Sequence, residues 1–91
     1  MGPGTPVRLT GRTISFSSRV PGAKSGLATV SCPAGMRRWG GGATLVGSGG
    51  TDGAIHDSYP DPNGSRWDVR AIIIFAGSGP LKVTPWVLCI Q

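Results

Sequence analysis

The 91-residue chain has no glutamate, one glutamine and two lysines, so residues that favour helices are scarce. No window places apolar residues at the i, i+3, i+4, i+7 spacing of an amphipathic helix. No apolar run approaches the roughly 20 residues of a membrane-spanning helix. The opening MGPGTPVRLTGRT has no apolar centre, so we expect no secretory signal there. These absences disfavour a helical fold and a membrane partner.

Glycine and proline are abundant instead, at 16 and 8 residues. They show no collagen triplet period, and they separate short apolar runs such as IIIF and WVLCI. This punctuation is typical of all-β domains. It predicts one domain, a small antiparallel β-sandwich of about six or seven strands.

Alternation and turn residues predict where the strands lie. The predicted strands are Thr13–Ser18, Leu27–Cys32, Ala43–Val46, Ala54–Tyr59, Arg66–Phe75 and Leu81–Ile90. Residues 1–12 contain two prolines and three glycines, which predicts an extended arm. We therefore expect residues 1–26 to hold a basic arm and the first strand, and residues 27–91 to form the sandwich.

The last two predicted strands have apolar residues on both faces. Alternation assigns one set to the core: Trp67, Val69, Ala71, Ile73, Phe75, Leu81, Val83, Val87 and Cys89. The opposite set is Ile72, Ile74, Trp86, Leu88 and Ile90. A soluble monomer rarely exposes such a patch. Either the N-terminal arm covers it or, as we favour, it packs in a homo-oligomer or lattice.

The net charge of +5 is unevenly distributed. Six cationic residues and no acidic residue precede Trp39, namely Arg8, Arg12, Arg19, Lys24, Arg37 and Arg38. This half therefore predicts an acidic partner surface, with simple solubility as the alternative.

The Arg37-Arg38-Trp39 cluster is the most suggestive candidate contact, because Arg and Trp are enriched in interface hot spots. Three interpretations remain: a protein interface, a Trp39 packed into the domain beside solvated arginines, and a nucleic-acid site. The last is disfavoured because only one aromatic residue lies near the arginines.

Catalytic and cofactor chemistry find little support. His56, Asp57 and Ser58 are the residue types of a hydrolase triad, but neighbours on a strand point to opposite faces. Asp61, Asn63 and Asp68 lack the spacing of a calcium loop. We expect a non-enzymatic protein with no catalytic residue, no cofactor and no metal.

Cys32 and Cys89 both lie near strand ends on inferred core faces. A disulfide between them is geometrically reasonable, and two buried free thiols are the alternative. A disulfide would indicate an oxidising destination such as a cell exterior or a virion surface.

Five short motifs occur in a recognisable order: CPAG at Cys32–Gly35, GGGA at Gly40–Ala43, SYP at Ser58–Pro60, WDVRA at Trp67–Ala71, and VT at Val83-Thr84 leading to VLCI at Val87–Ile90. The chain resembles the small β-domains with this motif order found in secreted actinobacterial proteins and in phages of those bacteria. The resemblance spans roughly residues 27–90. It implies a β-sandwich with paired cysteines and no active site.

We therefore expect a structural virion protein, a phage capsid decoration or cement protein that is extracellular after release. Its partner would be the major capsid protein or another virion protein, bound through the basic arm and the apolar face. The predicted contact residues are Arg8, Arg12, Arg19, Arg37, Arg38, Trp39, Ile72, Ile74, Trp86 and Leu88. The alternative is a secreted actinobacterial module that binds a surface glycan or protein.

Overall fold

A computed structural model describes residues 5–62 and 64–91. This part of the chain forms seven strands in two antiparallel sheets and has no helix, so no helix in it could cross a membrane. The predicted all-β sandwich is confirmed. The strands are β1 Val7–Thr10, β2 Ile14–Phe16, β3 Ala28–Ser31, β4 Arg37–Gly47, β5 Asp52–Pro60, β6 Arg66–Phe75 and β7 Leu81–Ile90.

Sheet A is built around β7, with β4 along one side and β1 and β2 in succession along the other. The gap between β1 and β2 lies opposite Pro85. The Gly11 N–H donates to the Pro85 carbonyl at 2.9 Å. The backbone edge of Pro85 that carries its carbonyl oxygen therefore faces the gap. Proline has no N–H to continue a ladder there. The edge strand is consequently split in two.

Sheet B places β6 between β3 and β5. Residues 22–25 extend the β3 edge by irregular pairing. The Gly22 N–H donates to the Ile73 carbonyl at 2.7 Å, and the Ser25 N–H donates to the Ala71 carbonyl at 2.8 Å. The long strand β6 is therefore paired on both sides over most of its length.

The core lies between the sheets and comes from alternate residues of β3, β6 and β7. Its buried members are Ala28, Val30, Cys32, Val69, Ala71, Ile73, Leu81, Val83, Val87 and Cys89. A disulfide joins Cys32, just after β3 in sheet B, to Cys89 on β7 in sheet A, with 5.7 Å between the Cα atoms. The predicted pairing is therefore present, and it links the two sheets directly.

Two glycines of β4 are required by tryptophans that lie across them. A Cβ on Gly41 would lie 2.3 Å from Cδ2 of the Trp67 indole, and a Cβ on Gly42 would lie 2.8 Å from Cζ2 of Trp86. Trp67 is on the core side of the sandwich and Trp86 is on the outer side of sheet A. The glycine run is therefore a strand that two indoles cover from opposite faces.

Several predicted boundaries need correction. Arg66–Phe75 and Leu81–Ile90 agree with the structure, but the predicted strand Ala43–Val46 begins at Arg37, because β7 pairs with the glycine run as well. Within the predicted extended arm, Val7–Thr10 pairs with β7 and forms strand β1 at the edge of sheet A. The first four residues of the arm lie outside the described part of the chain.

Phe75 was also assigned to the wrong environment. It is 65% exposed, whereas Ile73, two residues earlier on the same predicted face, is buried. Phe75 ends β6 opposite Asp52, where the pairing with β5 becomes irregular. The regular alternation of faces along β6 therefore ends before Phe75.

Candidate functional site

The outer side of sheet A carries the strongest candidate for a binding surface, which we call the basic face. It comprises the outward side chains of β1, β4 and β7, among them Arg8, Arg37, Lys82, Trp86, Leu88 and Ile90. The strands of sheet A contain four cationic residues and no carboxylate, whereas those of sheet B contain three carboxylates and two arginines. The fold therefore converts an uneven charge along the chain into a difference between two sheets.

Arg8 and Trp86 form the central contact of the basic face. The Arg8 guanidinium carbon lies 4.7 Å from the centroid of the Trp86 ring, within cation–π range. Arg8 is opposite Leu88 in the ladder between β1 and β7, so the guanidinium reaches diagonally to the indole. The indole is itself placed by Gly42, which offers no side chain beneath it. Arg8 is thus held on a supported aromatic surface.

The Arg37-Arg38-Trp39 cluster is divided by the structure. Arg38 is opposite the buried Cys89 and donates through Nη1 to the Asp61 carbonyl and, at 3.1 Å, to the Arg66 carbonyl. It therefore ties β4 to the turn between β5 and β6. Arg37, in contrast, is exposed opposite Ile90.

Trp39 lies at the irregularity where the pairing passes from Arg38 to Gly40. It is 65% exposed, so the interpretation that packs it into the domain is wrong. A bulged residue is left unpaired and its side chain is redirected. Trp39 remains available for contact near the end of the basic face.

Arg12 and Arg19 are exposed and lie outside the strands, between β1 and β2 and after β2 respectively. Arg19 lines an open cavity of about 300 Å³ with Ala76, Gly77 and Ser78. Arg8 lies on β1 opposite Leu88, whereas Arg19 follows β2, which pairs with the other end of β7. The basic N-terminal segment is therefore distributed over the sandwich.

The predicted apolar patch is also divided. Ile72 and Ile74 are on β6 in sheet B, whereas Trp86 and Leu88 are on β7 in sheet A. Outward residues of two packed sheets face opposite directions, so the four residues cannot form one surface. The prediction of a single continuous patch is wrong.

Two of the three strand carboxylates of sheet B, Asp57 and Asp68, pair with neighbouring arginines. Asp68 is only 2% exposed and receives hydrogen bonds from Arg66, from Nε at 2.7 Å and from Nη2 at 3.2 Å. This hydrogen bond, followed by the charge of Asp68, raises the pKa of Arg66 above its ordinary value. Arg70 lies 3.7 Å from Asp57, measured from Nη1 to Oδ2. These pairs reduce the charge that sheet B presents.

The His56-Asp57-Ser58 residues do not converge. His56 Nδ1 lies 3.0 Å from Asp57 Oδ2, but Ser58 accepts a hydrogen bond from Trp67 Nε1 at 2.9 Å. Ser58 pairs with the buried Val69, whereas Asp57 pairs with the neighbouring Arg70 on the other face. The serine hydroxyl is thereby directed away from the imidazole.

The described residues contain no group of three or more His, Cys, Asp or Glu side chains that could hold a metal ion. Asn63, one of the residues weighed as a calcium ligand, lies outside the described residues. Asp61 and Asp68 both interact with Arg66, at 3.6 Å and 2.7 Å between the nearest charged atoms. Their oxygens take part in an ion-pair network.

Sequence reasoning missed the Arg8–Trp86 contact and the exposure of Phe75. No local pattern signals the first, because it depends on β1 pairing with the last strand. The irregular end of the β5–β6 ladder explains the exposure of Phe75. The adjacent Gly77-Ser78-Gly79-Pro80 turn is the sequence feature that could have indicated this exposure. Comparisons with protein-family models, curated proteins and solved structures found no match.

Proposed function

We propose that the chain is a non-enzymatic structural protein of a phage particle that decorates the particle exterior. In this proposal the basic face docks on an acidic patch of the major capsid protein or another virion protein. The observation that carries the proposal is the separation of charge between the sheets, because sheet A has cations and no carboxylate in its strands. The virion setting itself comes from the motif resemblance.

Physical properties of the fold support such a role. The buried disulfide suits a particle that must persist outside a cell. Leu88 and Ile90 lie among the cations of the basic face, so docking would bury apolar area at about 25 cal/mol per Å² besides pairing charges. Many copies on one shell would convert weak single contacts into firm attachment.

The opposite side of the sandwich offers a different surface for neighbouring copies. Ile74 and Phe75 are both exposed at the end of β6 in sheet B. A copy could thus bind the shell with sheet A and contact its neighbour with sheet B. This arrangement supports the proposed lattice or homo-oligomer without one continuous apolar patch.

Particle fractionation tests the virion role. Particles released from producing cells are separated on a density gradient, and the chain is quantified across the gradient by mass spectrometry with labelled standard peptides. We expect it in the particle fraction at many copies per particle. High salt should release it, since exposed ion pairs are screened. Recovery only in the particle-free fraction would refute the virion role.

The alternative is a secreted module that binds a surface glycan or protein. The exposed Trp39 supports this alternative, because aromatic side chains supply contact area for either ligand. Sedimentation velocity of the isolated chain over a wide concentration range separates the two. Concentration-dependent association supports the lattice. A stable monomer at every concentration favours the secreted module.

A further inference from the structure

We propose that Arg8 and Trp86 together form a carboxylate-binding element, in which the Arg8 guanidinium receives an Asp or Glu side chain of a partner protein. The inference rests on the proposed function only in assigning the basic face to docking. It adds the chemical class of the group that is bound and names the residue that binds it.

The first argument is that Arg8 is ordered before any partner arrives. Its guanidinium is held 4.7 Å from the Trp86 ring centroid. The indole in turn lies across Gly42, where any side chain would collide with it. A stacked arginine loses less freedom on binding than a solvated one. The pair is therefore prepared to bind with little further ordering.

The second argument is that the Arg8 donors are available. Among the described residues, no side-chain hydrogen bond or ion pair involves Arg8, and the residue is exposed. Arg38 already donates to two backbone carbonyls, and Arg66 already binds Asp68. A guanidinium has five N–H donors in a planar fork that fits a carboxylate. Arg8 is the stacked arginine of this fold whose fork is left for a partner.

The third argument distinguishes a protein carboxylate from nucleic acid. Stacking a base on Trp86 would require the ring face that Arg8 already covers. Leu88 is directly opposite Arg8 in the ladder, so an apolar side chain adjoins the cation. A protein surface can present an aliphatic side chain beside a carboxylate and so match both Leu88 and Arg8. The surroundings of Arg8 therefore favour an acidic protein.

The experiment uses the isolated, oxidised chain and poly-L-glutamate as the probe, with oligothymidine as the competing polyanion. Affinity is measured by calorimetry, and the Trp86 indole N–H signal is followed by ¹⁵N NMR. Arg8→Lys keeps the charge but removes the fork. Arg70→Lys is the matched control, because Arg70 lies on β6 in sheet B, away from the basic face. Thermal unfolding of each variant shows that the fold is retained.

We expect Arg8→Lys to weaken poly-L-glutamate binding about tenfold or more, as the loss of charge-assisted hydrogen bonds predicts. Arg70→Lys should change it by less than about twofold, since Arg70 pairs with Asp57 on the other sheet and its charge is kept. The Trp86 signal should shift on titration in the wild type. Trp86→Leu should reproduce the loss while keeping Arg8.

Equal losses in the two lysine variants, or no loss in Arg8→Lys, would overturn the inference. So would oligothymidine binding that is tighter than poly-L-glutamate binding and shifts the Trp86 signal. The particle fractionation is independent of this titration. Poly-L-glutamate binding in a chain that is absent from particles would refute the virion role and leave the carboxylate element assigned to another acidic protein.

Discussion

Breaking the Cys32–Cys89 disulfide is expected to lower the free energy of unfolding by about 4 kcal/mol. The bridged residues are 57 positions apart in sequence. In the chain-entropy model, a loop of this length removes about 14 cal/mol/K from the unfolded chain, which corresponds to about 4 kcal/mol at 25 °C. A domain of this size is typically stable by roughly 5–14 kcal/mol. The bridge would thus supply between about three tenths and four fifths of the total.

The assay is urea unfolding followed by tryptophan fluorescence and far-ultraviolet circular dichroism, on oxidised and reduced wild type. The double variant Cys32→Ala with Cys89→Ala gives a second measurement without the bridge. Alanine is preferred to serine, because both cysteines are buried and an unpaired hydroxyl there would add its own cost. Thermal midpoints should fall by roughly 15–30 °C.

Reductant should not affect the double alanine variant, which makes that variant the control. A decrease of less than about 1 kcal/mol on reduction would refute the loop-closure reasoning. It would mean that the unfolded chain gains little freedom when the bridge is removed, or that the oxidised fold is strained.

Three further predictions concern packing. Gly41→Ala should destabilise the fold by about 1–3 kcal/mol, because the new Cβ collides with the Trp67 indole. Gly40→Ala should be nearly neutral, because its Cβ would meet only a Leu88 methyl at 3.9 Å. Equal effects of the two substitutions in urea unfolding would contradict this prediction. Asp68→Asn should cost about 1–3 kcal/mol by weakening the buried end of its pair with arginine, and an unchanged urea midpoint would count against that pair. Phe75→Ser should change the free energy of unfolding by less than about 0.5 kcal/mol, because the side chain is exposed. Ile73→Ala should lower the free energy of unfolding by about 2–5 kcal/mol, because Ile73 is buried. A large loss for Phe75→Ser would show that this side chain is packed.

The sequence by itself determined the fold class and the two ten-residue strands β6 and β7. Alternation over Arg66–Phe75 and Leu81–Ile90 is a local property, and strand bounds follow it when turn residues stand at both ends. The cysteine pairing was also accessible, because both residues lie on core faces of strands near their ends. The strand predictions depend on residues close together in the chain, and two cysteines allow only one pairing.

Only the tertiary structure decided which strands pair and what therefore shares a surface. Glycine disfavours strands by itself, yet Gly40–Gly42 become part of β4 because β7 pairs with them and two indoles cover them. Ile72 and Trp86 both point outward from their strands, but their strands belong to opposite sheets.

The Arg8–Trp86 contact has the same origin. It joins the first strand to the last, and alternation carries no information about which strands become neighbours. The sequence determined which residues of each strand point outward. The pairing of strands across the whole chain decided that an arginine would be stacked on a tryptophan and that the carboxylates would gather on the other sheet.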